Sequence, residues 1–163
     1  MILITTNENE QINLSPGRHS KLIKEIIEKF APRFLSGSTL LYVSNAGDKC
    51  SYSDNEAFEK LGFKINEHDK MPDVIFYHPD KKLLILVESV TSHGQTSHVH
   101  FDNKRQLELR ELFKTDLKMV FISAFPNKQT FSRFCPEIAW ETNVWISDHP
   151  THMIHFNGDK FLG

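Results

Sequence analysis

Two apolar runs joined by a short polar turn constrain this chain more than any other feature. The first is Val74-Ile75-Phe76-Tyr77, the second is Leu83-Leu84-Ile85-Leu86-Val87, and His78-Pro79-Asp80-Lys81-Lys82 lies between them. The second run is apolar on both parities, which is the pattern of a central strand covered on both faces. If His78 pairs with Leu83 across a four-residue loop, Tyr77 meets Leu84 and, at the far end, Asp73 meets Glu88. Directly opposed residues on an antiparallel pair hold their Cβ atoms ~5 Å apart, where like charges repel. Two acids in that position require a cation between them. Mg²⁺ suits the pair, because it is a hard ion often held by one or two carboxylates, waters and substrate phosphates. That points to phosphodiester chemistry. The plainer reading makes Asp73 a turn cap behind Pro72 and Glu88 a solvated strand end. Five apolar residues before Glu88, with Ser89-Val90 after it, weigh against that, since an uncompensated buried charge is costly.

The rest of the chain reads as an α/β fold built around this hairpin. With 163 residues, 39% of them hydrophobic and thirteen of them Phe, one domain with a real core is expected. Residues 1–16 are polar and turn-rich, and a loose, flexible arm is expected there. Leu22, Ile23, Ile26, Ile27, Phe30 and Phe34 recur at helical spacing and predict an amphipathic helix over 20–34. A strand is expected over 40–43 and a short helix over 54–61. A helix over 102–113 should turn Leu107, Leu109 and Leu112 inward and Lys104, Arg105, Arg110 and Lys114 outward. Met119 to Ser123 reads as a buried strand, Asn127 as the cap of a helix to about Phe134, and 144–146 and 153–156 as late strands. Asn157-Gly158 reads as a hairpin-type turn. Helices and strands in this order predict a central mixed β-sheet flanked by helices.

Composition excludes several classes. A formal charge of −2 gives no global signal for nucleic acid, although a metal nuclease spends acids at its centre. Cys50 and Cys135 lie far apart without a CxxC spacing, so neither a disulfide framework nor a zinc knuckle is suggested. No run approaches the ~20 apolar residues that span a bilayer, and the first residues do not resemble a secretory signal. A cytoplasmic protein without membrane contact is expected.

Several ungapped blocks resemble the catalytic region of the BsuBI/PstI restriction endonucleases. They include Lys70-Met71-Pro72-Asp73-Val74, Val87-Glu88-Ser89-Val90-Thr91-Ser92-His93-Gly94 and Val120-Phe121-Ile122-Ser123-Ala124-Phe125-Pro126. The others are Ile138-Ala139-Trp140-Glu141-Thr142-Asn143, the early Gly17-Arg18-His19-Ser20-Lys21-Leu22, and the end from His152 to Gly163. The resemblance runs from Gly17 to the last residue. It implies a PD-(D/E)XK nuclease domain over 17–163, with Mg²⁺-dependent cleavage of double-stranded DNA at CTGCAG in restriction-modification defence. Asp73 and Glu88 would then be metal ligands. Cutting both strands of a palindrome implies a homodimer. Members of this family also carry a separate domain ahead of this one, which implies a recognition domain outside this chain.

The third element of the motif departs from the superfamily, because Val90 stands where a lysine is expected. Lys104, beside Arg105 on the following helix, is the candidate replacement, with Lys70 second; the plainer reading of Lys104 is a solvated helix face. His93, in the family-like Thr-Ser-His-Gly stretch, could bond a phosphate, orient water or close the loop. Glu25 stands where related nucleases often add an acid to the metal site, but it is equally an ordinary partner for Lys21 or Lys29 one turn away. After the strand at 40–43, Ser44-Asn45-Ala46 replaces a Gly-Asp-Thr-like turn of the family. These departures keep open a rival reading, a nuclease-like DNA-binding or assembly domain with weak or no catalysis. A zinc hydrolase using His98 and His100, or His149, His152 and His155, is disfavoured because no cysteine lies near either cluster.

Overall fold

In the computed structural model, which describes residues 1–45, 49–66, 68–91 and 101–158, the chain begins with a hairpin rather than a loose arm. Strands β1 (Ile2–Thr5) and β2 (Gln11–Leu14) pair antiparallel, Ile4 opposite Ile12. Ile4, Ile12 and Leu14 are buried in the core. Exposed residues, Leu3 among them, alternate with these three, so the segment has a wet face and a dry one.

Helix α1 (Arg18–Glu25) continues through a π turn at Ile26–Phe30 into α2 (Ala31–Phe34). Pro32 has no N–H to donate, and the ladder widens just before it, with the Ala31 N–H reaching the Ile26 carbonyl. The chain then forms β3 (Thr39–Asn45), β4 (Lys49–Ser53), α3 (Asn55–Lys60), β5 (Val74–His78) and β6 (Leu83–Ser89). After these come α4 (Asn103–Leu112), β7 (Lys118–Phe125), α5 (Lys128–Phe134), β8 (Thr142–Ile146) and β9 (Met153–Phe156). Asp54, Asp102 and Asn127 cap α3, α4 and α5 through their side-chain oxygens. The expected turn at Asn157-Gly158 runs on into residues outside the described part.

Seven strands make one mixed sheet in the order β4-β3-β5-β6-β7-β8-β9. The β5–β6 hairpin pairs His78 with Leu83 and Val74 with Val87, the register the turn length dictates. β7 lies parallel to β6, with Ser123 beside Glu88, and β8 lies parallel to β7. One face packs Ile23, Ile26 and Phe30 against Val74, Phe76, Ile85, Val87 and Trp145. The other packs Leu109, Phe113, Phe58 and Phe63 against Ile75, Leu84, Leu86 and Phe121. Burial on both faces explains why β6 carries no polar residue before Glu88. Truncating any of these core side chains to Ala would cost about 2–5 kcal/mol.

Helix α4 differs from its sequence reading at two positions. Leu107 is 65% exposed, while Arg105 is 5% exposed and faces the sheet. Arg105, Leu109 and the following Phe113 lie four apart and share the inner stripe, whereas Leu107 falls on the opposite side of the helix. Apolarity alone put Leu107 inside; the acid at the end of β6 put Arg105 there instead.

Candidate active site

The sheet ends with two carboxylates, Glu88 buried and Asp73 part-buried. Asp73 precedes the first residue of β5, one step beyond the Val74–Val87 pair, so it stands opposite Glu88. Glu88 reaches Arg105 on α4 while Asp73 reaches His19 on α1, and the two carboxyl groups lie close enough to perturb each other. The backbone positions Asp73 twice over, since its carbonyl accepts from the Ser44 N–H at 2.8 Å while the Ser44 hydroxyl donates to Oδ1 at 2.9 Å. The Ser89 N–H donates to Oδ2 at 2.8 Å, and His19 Nε2 lies 3.2 Å from Oδ1. Ser89 in turn holds the α1 end of this arrangement by donating its hydroxyl to the His19 carbonyl at 3.1 Å.

These surroundings separate the two acids. Burial pushes Asp73 up, but the His19 bond and charge, the bond shared with Glu88 and the Ser89 N–H together hold its carboxyl below the ordinary range. Burial, the Asp73 charge and the shared bond push Glu88 well above its ordinary value, and Arg105 offsets only part of this. Without a bound cation the two acids therefore differ, Asp73 held toward its ionised form and Glu88 toward its protonated one.

Arg105 is the cation that reaches Glu88. Its Nη2 lies 3.7 Å from Glu88 Oε1 and donates to the Lys70 carbonyl at 3.0 Å, while Nη1 lies 3.8 Å from Glu108. Its Nε is buried without a partner among the described residues. Lys104, the neighbour expected to replace the motif lysine, is exposed on α4. Lys70 enters only through its carbonyl. Val90 is fully buried among Phe125, Val144 and Ile146, so the motif's usual lysine position is filled by core.

Glu25 pairs with Lys29 at 3.8 Å and lines a polar groove together with Arg18, Lys21 and Thr91. His93, His98, His100 and Ala46 lie outside the described residues. His155 bonds Asn143 and His152 bonds Thr151, and no group of three His, Cys, Asp or Glu that could hold a metal occurs among the described residues. The donor set is thus two hard carboxylate oxygens per site, which fits a divalent ion completed by water and phosphate and does not fit a tetrahedral zinc cage. Sequence reasoning missed the site roles of His19 and Ser44. Ser44 was visible only as a departure from an acidic turn, and His19 only as part of a family-like block.

Comparison with known proteins gives a consistent result. The BsuBI/PstI restriction endonuclease domain model matches residues 2–159. The chain is 48% identical to the type II restriction enzyme BsuBI of Bacillus subtilis over 157 residues, covering 96% of this chain and 48% of that protein. It is 34% identical to the type II restriction enzyme AplI of Arthrospira platensis, covering 94% of this chain and 48% of that one. The solved structure of the SdaI restriction endonuclease superposes with a TM-score of 0.87 at 36% identity, over 100% of this chain and 50% of that one. The chain spans about half the length of these relatives. It belongs to the BsuBI/PstI restriction endonuclease domain family.

Proposed function

We propose that this chain is the catalytic domain of a Mg²⁺-dependent type II site-specific deoxyribonuclease, hydrolysing phosphodiester bonds in double-stranded DNA as a homodimer. The family site CTGCAG is the sequence to test first, and a separate recognition domain would complete the enzyme. The observation that carries this reading is the opposed Asp73–Glu88 pair, with Glu88 buried, at the open end of the central hairpin. Two acids opposed at the end of a hairpin, one held toward its ionised form and the other toward its protonated form, are a site that a divalent cation can hold. Such an ion, when bound, polarises the scissile phosphate, acidifies a water and steadies the leaving oxygen.

The chain's own residues do the rest. Asp73 enters ionised and pre-oriented, because three donors fix both its oxygens. Glu88 becomes the second ligand by giving up its proton. Arg105 holds Glu88 from the α4 side and supplies a permanent positive charge where the motif lysine is missing. An arginine remains protonated at any working pH, so it stabilises anionic charge at the centre without serving as a base. The exposed Lys104 has no part in this scheme, and His93 is a further candidate for bonding the phosphate.

The test is plasmid DNA incubated with the chain and Mg²⁺, beside Asp73→Ala and Glu88→Ala. Cleavage by the parent and none by either variant is the expected result, and cutting that survives both substitutions rejects the site. The rival reading, a DNA-binding or assembly domain with little catalysis, draws on the core-filling Val90. It predicts no Mg²⁺ binding that depends on Asp73 and Glu88 in a calorimetric titration.

A further inference from the structure

We infer that the polar groove between α1 and α5 seats the phosphodiester backbone of the DNA strand beside the scissile phosphate, with Lys21, Arg18 and Arg133 holding its phosphates. This deepens the nuclease reading and rests on it. The groove has a volume of about 430 Å³ and opens at the carboxyl ends of β6, β7 and β8. It adjoins the acid pair along two elements. On α1, Arg18 immediately precedes His19, whose ring is on Asp73. On the chain leaving β6, Thr91 lines the groove three residues after Glu88. A strand with one phosphate at the carboxylates must lead its neighbouring phosphates past this opening or away from the protein.

The charge in the groove favours the first course. Lys21 and Arg133 are exposed and make no ion pair among the described residues. Two acids also line it, Glu25 and Asp148. Glu25 already pairs with Lys29, which lies outside the groove, so the cations face one unanswered acid. Gln129 and Thr91 add neutral hydrogen-bonding groups suited to phosphate and sugar oxygens. The contrast within the molecule is direct. The small cavity under the β1–β2 hairpin is lined by Glu8 and Glu10 without any cation, and the one beside β8 and β9 sets Lys128 among Val144, Ile146, Met153 and Ile154. A third cavity holds Lys29 and Arg33 without an acid, so position joins charge in singling out the α1–α5 groove: none of these three is lined by Thr91 or Arg18.

Phosphate contacts of this kind release counterions, so each one steepens the salt dependence of binding by about one in log–log slope. The experiment is fluorescence anisotropy of a labelled CTGCAG duplex, and of a duplex lacking that site, across a salt series with Ca²⁺ in place of Mg²⁺. The proteins are the parent chain, Lys21→Ala/Arg133→Ala, and Lys60→Ala as an exposed cation on α3 removed from the groove. The expected result is a slope shallower by about two for the double variant on both duplexes, with the Lys60 variant matching the parent. Mg²⁺ cleavage by the double variant should show a raised KM that worsens with salt and a kcat close to the parent's. Parent binding with a slope that the double variant leaves unchanged overturns the groove and spares the nuclease reading. A parent that neither binds duplex nor cuts it overturns both. Circular dichroism melting of each variant separates lost contacts from lost fold.

Discussion

The two ends of the β5–β6 hairpin hold buried polar groups in opposite conditions. At the turn end, His78 is 6% exposed and fully served by backbone. Its Nδ1 accepts the Lys81 N–H at 3.2 Å, which leaves Nε2 to carry the proton and donate to the Ser36 carbonyl at 3.0 Å. Nothing there awaits a ligand. At the open end, Asp73 is equally well served, whereas Glu88 meets, among the described residues, the Asp73 carboxyl and an arginine at 3.7 Å. Burial alone does not mark a functional group. The mark is a buried charge whose partners are insufficient until something binds.

The largest expected effect tests that contrast at the open end. Asp73→Asn and Glu88→Gln should each lower cleavage by about a thousandfold or more, because each replaces an anionic ligand with a neutral amide. Glu88→Gln should nonetheless melt no lower than the parent without metal, since Gln retains the shape and a donor for Asp73. A metal-free melting temperature well below the parent's would mean that Glu88 is a structural acid and not a waiting ligand.

Next in size is Arg105→Met, expected to lower kcat by roughly a hundredfold, with Arg105→Lys recovering part of it because Lys keeps the charge without the fork. Loss of stability should stay below the ~3–5 kcal/mol typical of a broken buried pair, because Glu88 can answer by keeping its proton. Equal kcat for the Met and Lys variants would reduce Arg105 to packing.

The third effect is about tenfold in metal affinity per pH unit. Glu88 titrates above its unfolded value in the metal-free fold, so its contribution to stability is present below that value and fades as pH rises through the folded one. Asp73 is held low, so its contribution is present above the unfolded value and lost as pH falls through its folded one. Metal binding must expel the Glu88 proton, and apparent Mg²⁺ affinity should therefore fall as pH drops below the folded Glu88 value. Calorimetry in two buffers of different ionisation heat should read close to one proton released per ion. A release near zero would place the Glu88 proton elsewhere.

The hairpin, its register and the opposition of its acids were legible because a period of two and a short loop leave one pairing that keeps both faces dry. The inner face of α4 was not legible. Leu107 is the more apolar residue and Arg105 the buried one, and only the three-dimensional neighbour, Glu88, decides between them. Ser44 and His19 serve Asp73 across 29 and 54 residues of chain, distances at which spacing carries no signal. The β1–β2 hairpin was obscured for another reason: its two four-residue strands are short, and the polar stretch between them set the reading.

The smallest expected effect on chemistry belongs to the turn end. His78→Phe keeps a ring of similar size and strands the Lys81 N–H and the Ser36 carbonyl, at a cost of about 1–3 kcal/mol for each group that water cannot reach. Chemical denaturation should show that loss, while Mg²⁺ affinity and cleavage measured well below the melting temperature should match the parent. The reason is mechanical. Five consecutive cross-strand pairs, Val74–Val87 to His78–Leu83, separate the two ends, and β6 is clamped on its other side by β7. A local defect at the turn is absorbed by fraying there, since the central pairs are buried on both faces and cannot slip one residue without turning their side chains over. Altered metal affinity in the folded His78→Phe protein would show the hairpin moving as a lever, and the two ends would no longer be independent.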